Sequence, residues 1–94
     1  MKGKGAEMSM TIYIIENNFI ARGMANTALW LYTDINEAKR DFSRFRKIWL
    51  TDHKEELTEG KIQITADWEN LFRVNNCKGE KLYHDEYYLT DRTI

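Results

Sequence analysis

From Ile35 to Trp49 the apolar residues Ile35, Ala38, Phe42, Phe45 and Trp49 recur at spacings of 3, 4, 3 and 4. That is the period at which side chains line up along one side of an α-helix. Every other residue from Asn36 to Lys47 is polar or charged, so a helix here has one apolar stripe and must lay it on another surface. Its start is marked by Asp34-Ile35-Asn36-Glu37. The Asp34 carboxylate is placed to accept from free N–H groups of the first turn, while Glu37 reaches back to the cap. Extending to Leu50, the helix is a rod of about 24 Å, the length of a strand pair it covers.

The covered surface comes from segments on both sides. Met10–Ile20 and Thr27–Tyr32 are rich in β-branched and aromatic residues and predict two strands. A turn centred on Arg22 and Gly23 joins them as a hairpin and sets Ile14 opposite Leu31. After the helix, Asp52–Glu56 reads as a charged connection and Thr58-Glu59-Gly60 as a turn. Lys61–Thr65 alternates like a half-buried strand. Trp68–Asn75 reads as another, although Trp68, Leu71 and Phe72 also fit a helical turn, so residues 65–72 stay open between strand and short helix. Asn75–Gly79 is a turn cluster and Glu80–Leu89 a closing strand. The order β-β-α-β-β-β predicts an α+β fold, a small antiparallel or mixed sheet with one amphipathic helix packed on one face. Residues 10–94 make one domain, and residues 1–9 are expected to be a mobile tail, or to precede a true start at Met8 or Met10.

Composition narrows the function classes. With 94 residues, two domains flanking a cleft are excluded in practice. Fourteen basic against fifteen acidic residues give a net charge of −1, which provides no global field toward nucleic acid or an anionic membrane. The longest run without a charge is Gly23 to Thr33, about half of the ~20 residues a membrane helix needs. Cys77 is the single cysteine, so no intrachain disulfide forms and a reducing, cytoplasmic location is expected. Proline is absent, which removes one common protection of edge strands.

Catalytic patterns are missing. The five glycines form no phosphate-binding loop. In His84-Asp85-Glu86 the alternation of a strand lets His84 and Glu86 share a face and excludes Asp85 from it, short of a set of metal ligands. This triplet reads as a solvated strand edge. The chain is expected to need no cofactor or metal and not to be an enzyme.

Two distributions point to binding. Arg40, Arg44 and Lys47 form a stripe at i, i+4 and i+7 on the helix side away from its apolar face, a spacing suited to phosphates or to an acidic protein. Asp52, Glu55, Glu56 and Glu59 follow directly and offset it. Aromatic residues make up 13% of the chain, more than one helix-covered face is expected to absorb. Tyr13, Trp30 and Tyr88 are therefore candidates for the opposite, open face, where large side chains would serve as binding anchors. The expected function is a non-enzymatic protein-binding module, a regulator or inhibitor of a protein partner. Accessory proteins of phages and mobile elements, such as inhibitors of host defence, are often of this build. A homodimer is one form such an interaction takes, a nucleic-acid-binding regulator using the helix stripe is the alternative, and no membrane is involved.

Overall fold

The computed structural model describes residues 9–21, 23–76 and 83–94. In chain order these form β1 (Thr11–Ala21), β2 (Met24–Tyr32), α1 (Ile35–Asp52), α2 (Lys54–Thr58), β3 (Ile62–Asp67), β4 (Leu71–Asn76) and β5 (Tyr83–Thr93). The strands make one sheet in the order β2-β1-β5-β4-β3, and every neighbouring pair is antiparallel. The α+β expectation holds, and the sheet is antiparallel rather than mixed.

The hairpin has the expected register, with Ile14 opposite Leu31, and Gly23 takes the positive φ of 79° that its tight connection requires. Two readings change. The charged run after α1 folds into the single turn α2, because Glu55 and Glu56 sit in its first turn, where acidic side chains suit the helix dipole. Residues 65–72 contain no helix: β3 ends at Asp67, β4 begins at Leu71, and the bend between them closes with Trp68 N–H donating to Leu71 O at 2.8 Å. Except for Ser9, the expected tail lies outside the described residues, as do Cys77, most of the Asn75–Gly79 turn and the first residues of the expected closing strand.

Asp34 caps α1 as expected, its Oδ1 accepting from Asn36 N–H at 2.9 Å. Ala38, Phe42 and Trp49 bury the apolar stripe against Ile15, Phe72, Val74 and Leu89 of the sheet, with Phe45 packed at the margin. Pairing places Ile15 beside Trp30 and Leu89, and Phe72 beside Tyr87, so all of these share the helix side. Arg46 ties the outer flank of α1 to the end of β3. It donates two hydrogen bonds to Asp67, at 2.7 and 2.5 Å, and its guanidinium lies 5.6 Å from the Phe72 ring centre. These bonds hold the Asp67 carboxyl below its usual range.

His84-Asp85-Glu86 is not a solvated edge. It lies on β5, the middle strand, and Asp85 is 7% exposed beneath the helix. Its carboxylate accepts from Asn17 Nδ2 at 2.7 Å and from Trp49 Nε1 at 2.9 Å. Burial pushes its pKa up, and the two donated bonds pull against that. A buried acid joined to both layers fixes how α1 sits on the sheet.

Candidate protein-binding surface

The charge-free run Gly23–Thr33 contains the whole of β2, and β2 is an edge of the sheet. An edge strand presents one row of unpaired backbone N–H and C=O groups. Which residues present them follows from the register. The hairpin closes on Ala21 opposite Met24, a hydrogen-bonded pair in a two-residue connection, and hydrogen-bonded and open pairs alternate from there. Ala25, Thr27, Leu29 and Leu31 therefore turn their N–H and C=O away from β1. The opposite edge differs. β3 is six residues long, its register shifts between Ile64 and Ala66, and Asp67 at its end is held by Arg46. Bulges and charges of this kind are the usual guards of an edge, and β2 has none of them.

The sheet face opposite α1 divides into two halves. Toward β2 it is aliphatic. Leu29 and Leu31 are 58% and 65% exposed, Ile12 and Ile14 stand half-buried on β1, and Met10 and Ile94 close the patch at its far end. Met10 and Ile94 are joined by backbone bonds of 3.3 and 2.8 Å. The other half is a polar ladder that crosses all five strands. Thr27 donates to Asn18 at 2.9 Å, and Asn18 donates to Glu16 at 2.8 Å and to Glu86 at 3.1 Å. Glu86 also accepts from Arg73 Nε at 3.1 Å and lies 3.2 Å from His84 Nε2. Asn75 then meets His84 Nδ1 at 2.9 Å and accepts from Thr65 at 2.8 Å. With its oxygen taken by Thr65, Asn75 offers Nδ2 to His84, so a neutral imidazole carrying its proton on Nε2 satisfies both bonds. Burial pushes the Glu86 carboxyl up, but the bonds from Asn18 and Arg73 and the nearby His84 outweigh this and hold it below its ordinary value. These groups satisfy one another, so the ladder forms a polar surface held in place by its own hydrogen bonds.

The candidate residues separate accordingly. Tyr13 and Trp30 do not lie on the open face. Both pack against the core on the helix side, where the Trp30 ring centre is 4.8 Å from that of Phe45. Odd-numbered residues of β1 face α1, and Trp30 is paired with Ile15. Tyr88 does reach the open face, where Arg73 Nη2 lies 3.4 Å from its hydroxyl; Tyr87 turns to the core as its neighbour must. The helix side absorbs far more aromatic surface than expected. On the open face Tyr88 is joined by the aliphatic Leu29 and Leu31, which the period-two spacing of side chains along a strand puts on one side, opposite to Trp30.

Arg40, Arg44 and Lys47 are all exposed on α1. The structure sets Asp41 among them, 3.1 Å from Arg44 and 4.0 Å from Arg40. Asp41 also accepts from the Tyr32 hydroxyl at 2.8 Å. Burial together with that carboxylate pushes the Tyr32 pKa up to about 12. Among the described residues no cluster of three or more His, Cys, Asp or Glu is placed to hold a metal. None of their helices is long and apolar enough to cross a membrane. A groove of about 560 Å³ lies between the start of α1 and the end of β5 and is lined by Tyr13, Ile35, Lys39, Glu69, Asn70 and Asp91 among others. No protein-family model, curated protein or solved structure matches the chain.

Proposed function

We propose that this chain is a non-enzymatic protein-binding module, a regulator or inhibitor that contacts a protein partner through β2 and the aliphatic half of its open sheet face. The observation that carries the reading is a nine-residue edge strand without a single charge, flanked on the uncovered face by Leu29, Leu31, Ile12 and Ile14. Contiguous exposed apolar surface beside an unguarded edge is the physical signature of a contact site. Added strands gain affinity from backbone hydrogen bonds and specificity from the side chains beside them. A small accessory protein that blocks a larger one needs no more chemistry than this. The nucleic-acid reading draws on the helix stripe, where Asp41 already engages Arg40 and Arg44 and weakens their field.

The test is affinity capture from a lysate of the source cells with wild type and with Leu29→Glu/Leu31→Glu. Both positions are exposed, so the far-UV spectrum and melting of the double variant are expected to be little changed. Wild type is expected to retain one protein in stoichiometric amount, and the variant to lose it. Retention of that protein by the correctly folded variant, or no stoichiometric protein with wild type, would contradict the proposal.

A further inference from the structure

We infer that β2 pairs antiparallel with β2 of a second copy of this chain, about a two-fold axis near Ala28, joining two five-stranded sheets into one of ten strands. The inference rests on the reading of β2 as a contact surface and adds what occupies its free edge.

Hydrogen-bond phase is the first argument. Full overlap of Met24–Tyr32 on itself pairs residues whose numbers sum to twice that of Ala28, so Thr27 meets Leu29 of the second copy and Ala25 meets Leu31. These are the residues whose backbone groups point outward, as derived from the hairpin register. The longest overlap thus has every free N–H opposite a free C=O. It forms about eight intermolecular hydrogen bonds, within the usual range for a specific interface. The match depends on the odd length of the strand: with an even number of residues, the centred overlap would have set outward groups against inward ones.

Charge is the second argument. A two-fold interface brings a patch against itself, so any charge near its axis meets its own like. Met24–Tyr32 carries none, and self-pairing brings no like charges together in the strand. The other edge, with Lys61 and Asp67 bounding a register shift, offers no such match. Packing is the third. On the open face Leu29 lies diagonal to Leu29 of the second copy, within reach of a long side chain. The two aliphatic patches therefore meet at the axis.

Ala28 provides the test. It is exposed, it lies on the helix side of β2 and so outside the open-face patch, and it sits opposite itself across the axis. Sedimentation equilibrium at about 100 µM is expected to give wild type a mass near twice 11.2 kDa. Ala28→Glu and Ala28→Lys each set like charges face to face and are expected to weaken association at least about tenfold, giving monomers. An equimolar mixture of the two is expected to recover the dimer, which a variant that had merely unfolded would not do. Wild type monomeric at this concentration, or either variant as dimeric as wild type, overturns the inference. Capture by wild type separates the outcomes: a wild type that is monomeric in sedimentation yet retains one stoichiometric protein from lysate overturns the self-pairing and leaves the binding-module reading standing.

Discussion

Replacing Phe72 with alanine is expected to lower stability by about 3–5 kcal/mol, a large part of the roughly 5–15 kcal/mol that holds a domain of this kind together. Phe72 is 1% exposed at the centre of the layer between sheet and helix. The Trp49 ring meets it edge-on at 5.4 Å between centres, and the Arg46 guanidinium lies over it. Removing the ring leaves a cavity that neither strand nor helix is free to close, since β4 is paired on both sides and α1 is fixed through Asp85 and Asp67. Urea unfolding followed by tryptophan fluorescence gives the value directly. A loss under about 1 kcal/mol would show that α1 does not press on the sheet as described.

The second large effect concerns the buried acid. Trp49→Phe keeps an aromatic ring over Phe72 but removes one of the two side-chain donors to Asp85, and is expected to cost about 2–3 kcal/mol near neutral pH. The pH dependence has a definite sign. Burial raises the Asp85 pKa above its unfolded value, so its contribution to stability is full below the unfolded pKa and is lost as pH rises through the folded one. In the variant the ionised carboxylate has lost a donor, so its folded pKa rises further and the penalty grows above that point. The stability difference between wild type and Trp49→Phe should therefore widen as pH rises from about 3 toward 7. Asp85→Asn, which cannot ionise, should lack this slope. A difference that stays constant across the range would mean that Asp85 is solvated.

What sequence reasoning reached and what it missed follow from the range of the interactions. The helix, its cap and the Ile14–Leu31 register rest on residues within one turn or one hairpin, where periodicity and a glycine decide the outcome. The middle position of β5 depends on pairing with β1 across most of the chain, as in Asn18 and Glu86, 68 residues apart. No local pattern encodes that. For this reason Asp85 looked solvated, although the adjacent alternation correctly put His84 and Glu86 together. Trp30 was misplaced because its face depends on which side of the hairpin α1 chooses. The charge-free run from Gly23 to Thr33 was visible from the start as a segment too short for a membrane. Only the strand order shows that it forms an edge.

Amide hydrogen exchange on the captured complex, compared with the chain at low concentration, locates the contact surface strand by strand. New protection is expected along Met24–Tyr32 and at Ile12 and Ile14, with α1 around Arg40, Arg44 and Lys47 unchanged. Protection confined to the basic face of α1, with β2 exchanging as freely as before, would contradict the account and move the contact to the helix.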